Sequence, residues 1–337
     1  MLLSPDELPS SEALNFYVIY CQVIFCVTTV VVIFTLVVMT ISSTQSMRVY
    51  HYYLVTEIVW SYLCDAICRA STLLSMQPLP CLAFLGRLAP LASSRPRLIA
   101  AVAIFILSGR SAAIGLQCFY RVFQSVPPQM PAYRFLHRML NDYAWMTFFA
   151  MTFIAFACIW GPMSMSFPDQ DAQKQLLLAA DPTLDYLYAR LPHIICFTTG
   201  THIDGSLSTA VALLIAIPCL GSALIFAVHR QVRRSKRPER TIHLHMMLLR
   251  SLIIQAGVLY VFIVLPAYVL VLSPMLGVRA APQLSVYIAV VYYLETNVEC
   301  LMLLWCVKPY REGGWQILRI ATRTSKPVQV RSRSSTN

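Results

Sequence analysis

Six ionisable side chains stand inside long apolar stretches of this chain. They are Glu57, Asp65, Arg69, Arg110, Glu295 and Glu299. In hydrocarbon a charge costs at least about 2.5–3.5 kcal/mol, so such side chains face a protein interior and find partners there. Asp65 and Arg69 are four residues apart, as are Glu295 and Glu299, so each pair shares one face of a helix.

Two kinds of chemistry fit this intramembrane polar network. One is an internal salt bridge in which Asp65 or Glu295 neutralises Arg69 or Arg110, because pairing is the usual solution for buried charge. The other is a network that rearranges when the protein is activated, or a counter-ion for a ligand. Both interpretations stay open, since a buried pair can also act as a switch.

Motifs of enzymes are absent from the sequence. It contains no GxxxxGK[ST], no HExxH and no GxSxG. His243 and His245 form an isolated HxH without a cysteine or carboxylate cluster around it, which favours a solvated helix start over a metal site. We therefore expect neither an enzyme nor a bound cofactor or metal.

The composition indicates a membrane protein. Of 337 residues, 58% are hydrophobic and 12% are charged, and the mean hydropathy is +0.63. A soluble domain carries roughly 25% charged residues. The net charge of +11 does not indicate nucleic acid, because the basic residues lie between apolar runs rather than on a soluble face.

Seven apolar runs are long enough to cross a bilayer as helices, which takes about 20 residues each. They cover residues 16–41, 52–75, 98–120, 142–164, 206–229, 246–273 and 283–307. We expect helices because backbone in lipid must satisfy its own hydrogen bonds, and because these runs do not alternate as barrel strands do. The predicted fold is an all-α integral membrane protein, a seven-transmembrane helical bundle over 16–307, between an extracellular segment 1–15 and a cytoplasmic tail 308–337.

The positions of lysine and arginine orient this bundle. With seven spans, four basic segments fall on one side: 42–51, 121–141, 230–245 and the tail from 308. An acidic N-terminus and an acidic loop over 165–205 fall on the other. By the positive-inside rule, we expect the N-terminus outside and the tail in the cytosol. Arg87, Arg95 and Arg97 lie in a predicted outer loop and run against this bias.

Two of the eleven cysteines lie in predicted outer loops, and the other nine fall in apolar runs as small hydrophobes. The two are Cys81 and Cys196, both on the oxidising side. The sequence leaves two alternatives, a disulfide between these cysteines or two free thiols. The loop over 165–205 is long enough to roof a ligand cavity.

Prolines and glycines mark further features of the predicted spans. Pro218 and Pro266 interrupt the fifth and sixth spans, which fits either a hinge or a packing role. After the last span, we expect Gly313 and Gly314 to turn the chain. Trp315 then begins an apolar set between arginines, which predicts a short helix on anionic inner-leaflet lipids, with an unstructured tail as the alternative.

Short motifs occur in an order that resembles a known family. They are WSYLCD (60–65), Pro78 and Pro80, FYR (119–121), PDQ (168–170), Thr241 with LIIQ (252–255) and Pro266, and PYR (309–311). From the second span to the tail, the chain resembles the nematode serpentine chemoreceptors of the Str superfamily, most closely the Srh and Sri classes.

The resemblance implies a G-protein-coupled chemosensory receptor at the plasma membrane, in sensory cilia. It would bind a small odorant-like ligand in the bundle and signal to a heterotrimeric G protein. The residues expected at the G-protein surface are Arg121, Arg233, Arg234, Lys236, Arg237 and Arg311. Four charged residues depart from the family pattern: Arg69, Arg110, Glu295 and Glu299. The ligand pocket would therefore differ in its chemistry from that of the family.

Two other classes of membrane protein compete with a receptor. A small-molecule or ion transporter would use the intramembrane carboxylates, but transporters usually have inverted repeats with broken helices, which the sequence does not show. An inverted-topology ligand-gated channel would keep its N-terminus inside, against the charge bias. The sequence therefore favours the receptor.

Overall fold

The computed structural model describes most of the chain, and the following account concerns those residues. They are 8–42, 48–76, 79, 81–125, 133–165, 167–182, 184–197, 223, 226, 230, 253–275, 278 and 281–324. Pro218 and nearly all of the fifth predicted span and of the third inner loop lie outside the described residues.

The described residues form helices, two π-helical segments and one small sheet. In chain order the helices are α1 (Ser11–Ile41), α2 (Arg48–Ser71), α3 (Ala89–Ser94), α4 (Pro96–Ser125), α5 (Tyr133–His137), α6 (Ala144–Met165), α7 (Gln170–Ala180), α8 (Leu184–Arg190), α9 (Leu265–Met275), α10 (Ala281–Tyr292), α11 (Glu295–Cys306) and α12 (Lys308–Thr324). The strands are β1 (Leu73–Ser75), β2 (Cys81–Phe84) and β3 (Ile194–Cys196). The π-helical segments are Arg138–Asp142 and Tyr260–Val264.

Five of the described helical stretches are long and apolar enough to cross a membrane. They are Ser11–Ile41, Pro96–Tyr120, Ala144–Ser164, Ile253–Leu270 and Pro282–Cys306. These correspond to the first, third, fourth, sixth and seventh predicted spans. Many of their large apolar side chains are exposed, as a surface that faces lipid requires.

The ends of the first two spans differ from the prediction. Helix α1 begins at Ser11 rather than 16, because the Ser10 hydroxyl caps it by accepting from the Ala13 N–H at 3.1 Å. The prediction that the second span reaches residue 75 is wrong, since α2 ends at Ser71. Thr72 has a φ of 43°, a left-handed conformation that stops the helix, and the chain continues as β1.

A three-stranded antiparallel sheet, in the order β1-β2-β3, lies at one end of the bundle, here called the sheet end. In the register, Leu74 faces Ala83 and Cys81 faces Cys196. The long loop after α6 is not bare, because it folds into α7, α8 and β3. The fold is therefore mostly helical with one sheet, where the sequence predicted helices alone.

Two large hydrophobic clusters hold the bundle together. The cluster at the sheet end joins α1 and α10 to the sheet and α8, through residues such as Tyr17, Leu74, Leu187 and Val286. The cluster at the opposite end, here called the tail end, joins α1, α2, α4 and α11, and Tyr310 of α12 belongs to it.

The prediction that Gly313 and Gly314 turn the chain is wrong, since α12 runs through both. Both glycines are buried. A Cβ on Gly313 would lie 1.8 Å from the Ser42 Oγ, at the end of α1. The missing side chain therefore lets the tail helix approach α1 closely.

The sixth span is locally distorted at Pro266. The π-helical segment Tyr260–Val264 ends just before α9, in which Pro266 is the second residue. Proline has no N–H to donate, and its ring crowds the carbonyl four residues earlier. The wider π-helical turn accommodates both effects. The interruption lies where the sequence predicted it, and a hinge role for Pro266 stays a prediction.

Candidate functional site

Arg69, in the last turn of α2, is the first of two buried arginines that contact the last span. Its Nη2 lies 2.9 Å from the Asp65 Oδ2, one turn earlier in α2. The same nitrogen donates to the Tyr293 carbonyl at 2.8 Å, and the guanidinium lies over the Tyr293 ring, 5.2 Å from its centroid. Its Nη1 reaches the Ile24 carbonyl at 3.4 Å. Arg69 thus links the second span to the first and the last.

Arg110 is the second buried arginine, and it comes from α4. Its Nη2 forms a salt bridge with the Glu295 Oε2, and both side chains are 2% exposed. Its Nη1 donates to the Tyr292 hydroxyl at 3.2 Å. The Glu295 Oε2 also accepts from the Thr296 hydroxyl at 3.4 Å. Arg110 therefore joins the third span to the last by charge.

Both arginines meet the last span where its helix is interrupted. Helix α10 ends at Tyr292 and α11 begins at Glu295, with Tyr293 and Leu294 in a turn between them. Within this turn the Leu294 N–H donates to the Val291 carbonyl, only three residues back, at 3.1 Å. Such an irregular turn leaves carbonyl groups in need of other donors, and Arg69 supplies one to Tyr293.

Glu299 lies on α11, one turn after Glu295, and forms a pair of carboxyl groups with Glu57 of α2. Both are buried, at 6% and 2% exposure respectively. Their side chains lie within hydrogen-bonding reach of each other. A hydrogen bond between two carboxyl groups needs a proton on one of them, because ionised carboxylates only accept.

The structure thus connects all six predicted charges in one buried network across the second, third and last spans, here called the charge layer. Of the salt bridges left open by the sequence, it selects Asp65 with Arg69 and Glu295 with Arg110. The two glutamates on one face of α11 have different partners, because Glu295 faces Arg110 and Glu299 faces Glu57.

Several polar contacts in or beside this layer were not predicted. Tyr292 and Tyr293 both contact an arginine, although aromatic residues in an apolar run usually indicate packing alone. The Asn297 amide donates to the Thr28 hydroxyl at 2.7 Å, and Gln117 donates to Gln255 at 3.3 Å between the third and sixth spans. Polar side chains inside an apolar run were the available signal for both pairs.

At the sheet end, Cys81 and Cys196 are joined in a disulfide. They face each other directly in the register of β2 and β3. The Gln170 side chain holds the same strand, since its Oε1 accepts from the Cys196 N–H at 2.8 Å and its Nε2 donates to the Cys196 carbonyl at 3.0 Å. Gln170 belongs to the PDQ motif, so that motif anchors β3.

At the tail end, the predicted G-protein residues are only partly described. Arg121 lies in the last turns of α4, with its side chain outside the described part, and Arg311 is exposed on α12. The other four lie outside the described residues: Arg233, Arg234, Lys236 and Arg237. This set therefore stays a prediction.

Comparison with known proteins places the whole layer inside one family match. The family described as "Serpentine type 7TM GPCR chemoreceptor Srh" matches residues 12–320. This range runs from the start of α1 into α12 and contains all six buried charges and both disulfide cysteines. A search of the curated proteins finds no match.

Proposed function

This chain belongs to the Srh family of serpentine type 7TM GPCR chemoreceptors, and on that premise we propose that it binds a small odorant-like ligand within its bundle and signals to a cytosolic heterotrimeric G protein. Membership makes it a multi-pass membrane receptor of the chemoreceptor class and not an enzyme. We further propose that the chain crosses the membrane seven times, with its N-terminus outside and its tail in the cytosol. Its proposed location is the plasma membrane of a sensory cilium.

The burial of the charge layer is the observation that carries the proposal. Each of its six ionisable side chains is at most 6% exposed, and both guanidinium groups are paired with carboxylates. In a transporter or channel such charges line a substrate or ion pathway. Two buried pairs, one of which joins two spans, instead suit a bundle with two alternative packings, which is how a receptor passes a signal.

The proposed seven spans rest on three sets of residues. Five apolar stretches supply five spans, and α2 adds a sixth, because its 24 residues extend over about 36 Å. Its charges make α2 less apolar, but they are buried in the layer. The predicted run 206–229 supplies the seventh. An odd number of spans puts the two termini on opposite sides, and the basic tail favours the cytosol for the C-terminus.

The G-protein surface is proposed at the tail end, next to Arg121. The ring of the preceding Tyr120 packs on Tyr53, with centroids 4.9 Å apart, and the Tyr53 hydroxyl donates to the Leu140 carbonyl at 2.7 Å. These contacts hold the end of α4 against the chain that follows it. Arg311 and the basic loop over 230–245 would extend the surface for the partner.

The same end suits contact with anionic lipid. Arg311, Trp315 and Arg319 are exposed and spaced four residues apart, so they share one face of α12. Aromatic and basic side chains on one helical face are typical of a helix that lies at the membrane interface. We therefore assign inner-leaflet lipids as a second partner of the tail.

Nucleotide exchange tests the coupling. Purified receptor in nanodiscs would be mixed with each Gα class, with and without a panel of volatile small molecules, and uptake of a GTP analogue would be followed. We expect acceleration of one Gα class, and we expect Arg121→Ala to remove most of it. Arg87→Ala is the matched control, because Arg87 is exposed at the sheet end. Acceleration that survives Arg121→Ala would remove Arg121 from the surface, and a chain that accelerates no Gα class would overturn the proposed coupling.

A further inference from the structure

The interruption in the last span has no local cause in its sequence. Residues 283–306 contain neither proline nor glycine, the residues that usually break a helix. The partners of the interruption come from other spans, since Arg69 binds the Tyr293 carbonyl and Arg110 binds Tyr292 and Glu295. The shape of the last span is therefore stabilised by two arginines that lie outside it.

The two arginines differ in what their ion pairs connect. Asp65 and Arg69 belong to the same helix, so their pair does not fix one span against another. Lys308 and Glu312 are also in one helix, at the surface. Among the ion pairs of the described residues, Arg110 with Glu295 alone joins two spans. A change at this pair therefore alters an ionic contact between two spans, whereas Arg69 reaches the other spans through carbonyl groups and an aromatic ring.

Arg110 also has a second carboxyl group within electrostatic reach. Glu299 lies one turn after Glu295 on the same face of α11, and it interacts with Arg110 as well as with Glu57. Its Oε2 is buried and, among the described residues, has no hydrogen-bond partner. Each glutamate has a substitute donor when the arginine is elsewhere: the Thr296 hydroxyl for Glu295 and the Glu57 carboxyl for Glu299.

The guanidinium of Arg110 is bound to Glu295, and Glu299 offers it a second carboxylate one turn further along the same helix face. Four residues of helix rise about 6 Å, the scale of the one-turn shifts by which packed helices switch. We propose that Arg110 is the positioning residue of a two-position switch, bound to Glu295 at rest and to Glu299 in the active state. The exchange shifts the α11 half of the last span, and with it the tail end. The inference rests on the proposed receptor function and adds how its bundle is regulated.

Two isosteric substitutions test the switch, because they push it in opposite directions. Glu295→Gln removes the resting partner, so we expect ligand-independent nucleotide exchange to rise by about fivefold or more. Glu299→Gln removes the active partner, so we expect exchange to fall below that of the wild type. Glu312→Gln is the control, a 61% exposed carboxylate in an ion pair within one helix, and should leave exchange unchanged. A pair with a purely structural role would lower exchange in both variants.

A readout that needs no G protein separates this inference from the proposed coupling. The chain has five tryptophans, so fluorotryptophan labelling gives few ¹⁹F resonances, and Trp305→Phe assigns the one near the end of α11. We expect Glu295→Gln and Glu299→Gln to displace the Trp305 resonance in opposite senses, with Trp145 on α6 unchanged. Should Glu295→Gln not fold, Glu295→Asp keeps the charge but shortens the reach and should act in the same sense.

The switch would be overturned if both variants displaced the Trp305 resonance in the same sense, or if neither variant displaced it. Opposite displacements with no effect on any Gα would leave the switch standing and overturn the coupling instead. The two proposals can therefore fail separately.

Discussion

At the scale of single residues, Arg69 is bound by more than its ion pair. Its guanidinium contacts Asp65, the carbonyls of Tyr293 and Ile24, and the Tyr293 ring. Removing the arginine therefore leaves a buried carboxylate and a carbonyl that has lost a donor. Removing the carboxylate leaves the arginine with its carbonyl and aromatic partners. The two partners of the pair are not equivalent.

This asymmetry predicts a double-mutant cycle. Arg69→Gln should cost about 3–5 kcal/mol, because it leaves Asp65 charged and buried. Asp65→Asn should cost less, and the double variant should cost less than the sum of the single changes. Thermal unfolding of the purified protein in detergent measures all three.

The exposed pair Lys308 and Glu312 gives the matched control for this cycle. Both of its side chains are more than 60% exposed, so Lys308→Gln should change the melting temperature little. Additive losses at Asp65 and Arg69 would show that the buried pair has no coupling energy, against the cycle predicted above.

The sequence identified the charged residues of the layer but not their partners. Charges are rare in an apolar run, so Arg110 and Glu295 could be found by inspection. The spacing of Asp65 and Arg69 allows their pair within one helix, but the partner of Arg110 depends on how α4 packs against the last span. No local pattern carries that information. Tyr292 contributes through its hydroxyl, which an apolar pattern hides.

At the scale of elements, hydropathy located the spans better than their ends. Leu73 and Leu74 continue the apolar run of the second span, so hydropathy alone cannot separate strand β1 from α2. The positive φ of Thr72 decides this boundary. Gly313 and Gly314 suggested a turn, yet the structure uses them inside a helix, because their tertiary contact with α1 outweighs their low helix propensity.

These two glycines predict opposite responses to the same substitution. Gly313→Ala would place a Cβ 1.8 Å from the Ser42 Oγ and 3.0 Å from its Cβ, so α12 or the end of α1 must shift. We expect a loss of roughly 1–3 kcal/mol, as for other overpacked sites. Among the described residues, a Cβ on Gly314 meets only Val38, at 3.9 Å, and Gly314→Ala gains helix propensity, so it should be neutral or slightly stabilising.

The melting temperatures of the two alanine variants check this difference. Ser42→Gly combined with Gly313→Ala should recover much of the loss, because it removes both clashing atoms. Equal effects of the two alanines would mean that α12 does not pack on α1 as the structure has it.

At the scale of the whole molecule, the sheet end and the tail end differ in structure and in the residues they expose. The sheet end is closed by a disulfide, three strands and the short helices α3, α7 and α8, which suits an oxidising outer side. The tail end carries exposed basic residues on α12 and aromatic contacts around Tyr53, which suit a cytosolic face with anionic lipid and a protein partner. This difference agrees with the orientation that lysine and arginine predict.

Two epitope tags test that orientation and the number of spans together. With seven spans, an N-terminal tag should be stained on intact cells and a C-terminal tag only after permeabilisation. The reason is that an odd number of spans separates the termini and the basic tail stays inside. A surface-biotinylation control would first show that each tagged protein reaches the plasma membrane. Both tags stained only after permeabilisation would mean an even number of spans. A C-terminal tag alone on intact cells would invert the bundle, which would put Arg121 and the tail outside and favour the ligand-gated channel over the receptor.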